Sequence, residues 1–121
     1  MKKERFEAIT DAVLAIIITL MVLEIKIPEL TLENLPKVFQ QIFIYAVSFT
    51  YIAILWLNHH HMFVKVKTVS ITIVWINFAL LFFTSILPMA TEHLNADFHQ
   101  KANHIFFGLI MTVVTFLYSL L

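Results

Sequence analysis

The chain has 121 residues, 60% of them hydrophobic and 13% charged, with one Gly, three Pro, no Cys and a formal net charge of +0 at pH 7; its mean hydropathy is +0.88. Soluble domains carry about 45–50% apolar and about 25% charged residues, so there is too little charge here to coat a water-exposed surface. Disulfides, thiolate metal sites, Cys nucleophiles, glycine-cradled phosphates and, by charge balance, a nucleic-acid partner are all excluded.

Four uncharged apolar runs follow one another: Ala12 to Leu23, Val38 to Asn58, Thr68 to Thr91 and Ile105 to Leu121. A spanning helix needs about 20 apolar residues, which the last three runs supply. The first is shorter, and it spans only if Asp11 and Glu24 sit at or just inside the boundaries with other helices or water sheltering them. The pattern predicts an all-α polytopic membrane protein in one transmembrane domain, residues 1–121, with helices over 6–26, 36–61, 68–91 and 103–121 and the first helix innermost. Stretches such as Ile42 to Leu57 lack the polar face that a soluble bundle requires.

The opening Met1-Lys-Lys-Glu-Arg5 resembles the start of a signal peptide, but no small-residue cleavage site follows, and Glu4, Glu7 and Asp11 crowd the basic region. It reads as an uncleaved first helix. Lys2, Lys3, Arg5, Lys65 and Lys67 fall on one side of a four-crossing arrangement, against Lys26, Lys37 and Lys101 on the other. That bias puts the N-terminus in the cytoplasm and the chain in the cell membrane as a multi-pass protein. Pro28 and Pro36 bracket the first loop, and the second helix starts near Pro36. The last run stops at Leu121 without polar residues beyond it. Two readings stay open: a truncated chain, or a short natural tail whose carboxylate marks the interface.

The first helix carries most of the chemistry. Arg5 and Asp11 are about 120° apart around a helix, so each needs partners elsewhere. Candidates at matching depth are Asn58, His59, His60 and His61, with Trp56 just inside; Asn77, deeper in the third helix, is also within reach of an inner helix. The plain alternatives are a positive-inside anchor for Arg5 and, for Asp11, a helix N-terminal charge with Thr10 as its capping neighbour.

The segment Arg5-Phe-Glu-Ala-Ile9-Thr10-Asp11 resembles the signature that opens the first helix in bacterial relatives of transmembrane protein 175, the endosomal and lysosomal potassium channel. The continuation Ala12 to Ile25, the tract Trp56-Leu-Asn-His59-His60 and the stretch Asn77 to Pro88 are similar to that family as well. Ile9 stands where the family usually has Phe, and Thr10 where it usually has Ser. Bacterial members resemble six-helix subunits assembled as tetramers, whereas four helices are read here.

The resemblance implies a potassium-permeable channel: a homo-oligomer, a tetramer, in the lipid bilayer, with potassium ions as the permeant and no cofactor. It implies a pore lined by first helices and narrowed by apolar side chains at Ile16, Leu20 and Leu23, without the carbonyl filter of ordinary potassium channels. The only glycine, Gly108, stands alone in the fourth helix and cannot supply such a filter. Ile16, Leu20 and Leu23 recur at i, i+4 and i+7, one stripe of a helix, and apolar girdles of this kind gate by dewetting. Thr19 borders the stripe. The plainer alternatives are ordinary helix packing for the stripe and, for Thr19, a hydroxyl bonded to the carbonyl of Ala15. Arg5, Thr10, Asp11, Trp56, His59, His60 and Asn77 form the signature and assembly set.

The remaining features are weaker. Three adjacent imidazoles at His59 to His61 point about 100° apart and cannot converge on one metal. They read as a polar helix end that can titrate near neutrality beside Asp11. Glu92 to His104 reads as an outer loop or interfacial helix. Two other classes compete with the channel: a small four-helix proton-coupled transporter, and a non-conducting scaffold or incomplete subunit. The transporter class resembles glycine-rich dimers with an acid midway along the first helix, which this chain lacks. No nucleophile with a base and no paired carboxylates on one face emerge, so an enzyme is not expected.

Overall fold

The computed structural model describes residues 2–25 and 28–121. Met1 lies outside the described residues, as do Ile27 and Lys26, the latter counted above with the outer-side cations and at the expected end of the first span. The order is α1 Lys3–Glu24, α2 Leu35–Val64, α3 Ile71–Thr84, α4 Leu87–Ala96 and α5 Lys101–Leu120, with no strand among the described residues. α3 and α4 together make one apolar stretch, Ile71–Ala96, so four segments are long and apolar enough to cross a membrane.

The helix ends have local causes. Pro36 lies in the first turn of α2, where its missing N–H costs nothing. In the loop before it, the Asn34 amide donates to the Glu29 carbonyl at 2.8 Å. At 30 residues, α2 runs about 45 Å, longer than the roughly 30 Å hydrocarbon layer, so its ends project toward the interfaces or the helix tilts. Ser70 caps α3 by accepting the Ile73 N–H at 3.3 Å, so the helix begins at Ile71.

The third span differs from the unbroken 68–91 expected of it. It turns at Ser85–Ile86 and resumes with Pro88 in the first turn of α4. A proline four residues after Thr84 removes the N–H that would bond the Thr84 carbonyl and crowds that carbonyl, which ends α3 there. α4 then continues to Ala96, so most of Glu92 to His104, expected outside helices or at the interface, belongs to the end of α4 and the start of α5. Only 97–100 connect them. The Asn103 amide holds this connection by donating to the Asp97 carbonyl at 2.9 Å, and the His104 ring bonds the Phe98 carbonyl.

The spans alternate in direction. α1 packs on α2, α3 and α4, while α5 packs on α3 and α4. The main core, including Leu14, Ile17, Met21, Ile52, Leu80, Leu87 and Val114, joins all four spans. A smaller cluster of Phe6, Phe63 and Val74 closes the end where α1 starts, α2 ends and α3 begins. Hydroxyls cross-link the apolar seams: Ser48 to Thr91 at 3.2 Å between α2 and α4, and Tyr51 to Thr115 at 2.8 Å between α2 and α5.

Candidate functional site

α1 is two-faced. Phe6, Thr10, Leu14, Ile17 and Met21 follow helical spacing and are at most 2% exposed. Measured around the helix from Leu14, Ile16, Leu20 and Leu23 lie about 180–240° away. They are 59%, 43% and 72% exposed, so the chain's own helices leave this stripe uncovered. Thr19 is exposed beside it, and its hydroxyl donates to the Ala15 carbonyl at 3.0 Å, as the plainer reading of a membrane threonine anticipates.

The buried face of α1 carries a polar anchor. The Thr10 hydroxyl donates to the Phe6 carbonyl at 3.1 Å and accepts the Asn77 amide N–H at 2.8 Å. With its amide nitrogen directed at Thr10, Asn77 offers its oxygen to His59 Nε2, 2.9 Å away, which assigns the ring hydrogen to Nε2. Thr10, His59 and Asn77 are each no more than 2% exposed, so one fully buried chain of hydrogen bonds joins α1, α2 and α3. In the membrane interior such groups are stable only when mutually satisfied.

Beside it, the Trp56 indole N–H donates to Asp11 Oδ1 at 2.7 Å. Asp11 is the ninth residue of a helix that begins at Lys3, and the acid in the first turn is Glu4. Asp11 is therefore not an N-terminal dipole charge, and Thr10 is an interior residue rather than a cap, because the helix starts two turns earlier than the apolar run. His60 stacks on Trp56 with centroids 5.5 Å apart and planes 15° apart.

The structure thus brings together Thr10, His59 and Asn77, and pairs Asp11 with Trp56 and Trp56 with His60. Arg5, Asn58 and His61 stay on the surface. Phe6 was missed by sequence reasoning. It stacks on His59 at 5.9 Å and meets Phe63 at 4.8 Å, roofing the anchor with aromatic rings. Its signal was available, an aromatic one helical turn before Thr10. Among the described residues no group of three His, Cys, Asp or Glu side chains is placed to hold a metal ion.

Four apolar spans with polar residues tied to one another inside them define a multi-pass helical membrane protein. Residues 5–88 match the family model described as endosomal/lysosomal potassium channel TMEM175. The chain is 43% identical over 120 residues to a potassium channel of Chryseobacterium sp. (strain P1-3), covering 96% of this chain and 62% of that protein. It is 34% identical over 110 residues to a potassium channel of Streptomyces collinus, covering 84% and 52%. An endosomal/lysosomal proton channel TMEM175 of Gallus gallus is 31% identical over 134 residues, covering 99% of this chain and 26% of that protein. The crystal structure of a lysosomal potassium-selective channel TMEM175 homolog from Chamaesiphon minutus superposes with a TM-score of 0.86 at 26% identity, covering 96% of this chain and 67% of that one. The chain belongs to the TMEM175 family, whose members are ion channels and not enzymes. It spans between about half and two thirds of the length of its bacterial relatives.

Proposed function

We propose that this chain is the subunit of a potassium-permeable channel of the cell membrane, with α1 lining the pore. Ile16, Leu20 and Leu23 form its apolar constriction, Thr19 offers hydroxyls beside it, and no carbonyl filter takes part. The observation that carries this reading is the uncovered stripe on α1, turned about 80–140° around the helix from the anchoring Thr10. Apolar side chains alone are content against lipid. Asp11, however, is also exposed, two turns inside the same helix, and a carboxylate at that depth needs water or protein beside it. A ring of α1 helices from a homo-oligomer, a tetramer in the family, meets that need and stacks the stripes into girdles that gate by dewetting. Thr10, Asn77 and His59 hold each α1 in register, Trp56 and His60 steady Asp11, and Arg5 lies at the cytoplasmic mouth. Potassium is the permeant and no cofactor is required.

The test is flux from proteoliposomes holding the purified chain, with potassium, sodium and proton gradients imposed in turn, beside the Ile16→Asn variant. Potassium flux that rises or loses selectivity on Ile16→Asn supports the reading. Its absence from both, at verified incorporation, favours the incomplete subunit or scaffold. The proton arm is included because animal relatives carry the name proton channel; proton movement in the absence of potassium flux favours that permeant.

A further inference from the structure

The third span is interrupted in its middle. The last α-helical bond of α3 runs from the Ser85 N–H to the Leu81 carbonyl at 2.9 Å, and the first of α4 from the Ala90 N–H to the Ile86 carbonyl at 3.1 Å. The rungs between them, 82–86, 83–87, 84–88 and 85–89, are missing. A tighter bond from the Ile86 N–H to the Phe83 carbonyl at 3.2 Å stands in their place, and the Ser85 hydroxyl donates to the Phe82 carbonyl. Bending at this gap gives up none of the α-helical bonds on either side, which is the local condition for a hinge.

The two halves of the span are held differently. α3 is fastened through Asn77 to Thr10 on α1 and to His59 on α2. α4 lies between the break and the connection 97–100, and it packs on α1, α2 and α5 with Leu87, Ala90 and Leu94 buried. Its side-chain hydrogen bond to another span is the Ser48–Thr91 hydroxyl pair. Near its far end Asn95 is only 5% exposed, and neither atom of its amide has a hydrogen-bond partner. An unpaired buried amide disfavours the packed position, and a tilt of α4 that admits water to Asn95 relieves it. The apolar face of α4 thus favours one position and its amide opposes it, the balance that an element with two positions requires. Ile17 and Met21 of α1 share one core cluster with Leu87, so the outer half of α1 rests on the movable half of the span while Thr10 holds the inner half to the fixed one.

We infer that Ser85–Ile86 is a hinge on which α4 tilts as a unit, carrying with it the outer half of α1, where Leu20 and Leu23 lie, while α3 and the inner half of α1 stay in place. The inference rests on the packing within one chain and is independent of conduction.

The test is hydrogen–deuterium exchange of the full chain in detergent, read by mass spectrometry on the two halves of the span and of α1. Amides of 89–96 are expected to exchange about tenfold faster than those of 73–82, and those of 17–24 about tenfold faster than those of 8–14. The chain has no Cys, so a Ser48→Cys/Thr91→Cys pair, placed where the native hydroxyls are 3.2 Å apart, can be oxidised to clasp α4 to α2 and released by reductant. Oxidation should slow exchange in 89–96 and in 17–24 about tenfold, reductant should restore it, and 73–82 should not respond. Pro88→Ala supplies the N–H that the Thr84 carbonyl lacks, and Asn95→Leu removes the unpaired amide; each should slow 89–96 about tenfold. The cysteine pair keeps the test decisive if either of those variants fails to fold, because its reduced form is its own control. Equal exchange in the two halves of the span overturns the proposal, as does exchange in 89–96 that ignores the oxidised clasp. Slowing of 89–96 that leaves 17–24 unchanged overturns the coupling to α1.

Discussion

The indole of Trp56 and the carboxylate of Asp11 meet at 2.7 Å across the α1–α2 seam, one helical turn from the buried bond between His59 and Asn77. Thr10 and Asp11 are consecutive, so about 100° of helix separates a buried hydroxyl from an exposed carboxylate. The same two turns therefore fix α1 internally through Thr10 and present a charge outward through Asp11. Neither bond tolerates a register slip, because a rotation of α1 that improved one would draw the other apart.

Trp56→Phe leaves an aromatic ring, smaller than the indole, against His60 and removes the N–H donor. A hydrogen bond to a charged group contributes about 1.5–3 kcal/mol, less where water reaches it, and Asp11 is exposed. A loss of about 1 kcal/mol is expected, seen as a drop of roughly 3–6 °C in the temperature at which the detergent-solubilised protein loses its monodisperse elution peak. An unchanged profile would show that the carboxylate is already satisfied by water.

Asn77→Leu is expected to be the most damaging single change outside the apolar core. It strands the buried His59 N–H, at about 1–3 kcal/mol for an unpaired group, and takes away the N–H that the Thr10 hydroxyl accepts, while that hydroxyl still donates to the Phe6 carbonyl. Thr10→Val and Asn77→Leu both remove the same Asn77–Thr10 bond, so the double variant should be less destabilised than the sum of the two singles by about 1 kcal/mol. Chemical denaturation of all four proteins in one detergent measures the coupling. Strict additivity would mean that Thr10 and Asn77 do not share an energetic contact.

Much of this architecture is legible in the sequence because hydropathy reports directly on span length: the run ending at Leu121 stops beside the end of α5 at Leu120, while α2 runs on past Asn58 through the histidines to Val64. The break at Ser85–Ile86 escaped a reading by hydropathy, since the run from Thr68 to Thr91 stays apolar throughout, although Pro88 marks it in the sequence. The polar residues announced themselves by standing in apolar surroundings. Their partners did not, because Thr10 and Asn77 are separated by 67 positions and meet only once the α1–α3 packing is set. Sequence reasoning grouped Asn77 with the candidates but could not tell that Asn77 goes to Thr10 and Trp56 to Asp11. It also read Asp11 as near the start of a helix over 6–26, whereas α1 begins at Lys3 and Asp11 is its ninth residue.

The two faces of α1 predict opposite responses to the same chemical change. Leu14→Ala empties part of a core in which that side chain is 2% exposed, whereas Leu20→Ala trims one that is 43% exposed. Leu-to-Ala changes in packed cores cost about 2–5 kcal/mol, and the lower end applies in lipid, where the displaced chain loses packing but not an apolar solvent. Leu14→Ala should therefore cost about 2 kcal/mol in thermal or denaturant unfolding. Leu20→Ala should leave unfolding within about 0.5 kcal/mol while changing ion flux. Matching stability losses at both positions would place Leu20 in a packing contact between subunits.

Asp11→Ala separates the channel from the proton-coupled transporter. In a channel whose carboxylate lies among the α1 helices, its removal acts on assembly. The oligomeric fraction measured by light scattering should fall, and whatever still assembles should retain passive flux down a potassium gradient. In a proton-coupled transporter the carboxylate is the proton carrier, and its loss abolishes substrate-driven proton movement in a protein that assembles normally. The Trp56 bond sharpens the comparison, because Asp11→Asn can still accept from the indole N–H without carrying charge or a titratable proton. Asp11→Asn should restore assembly and flux if the residue acts as a hydrogen-bonded strut. It should remain inactive if the proton itself is the function. Light scattering and flux on the three proteins, wild type, Asp11→Ala and Asp11→Asn, decide between the two.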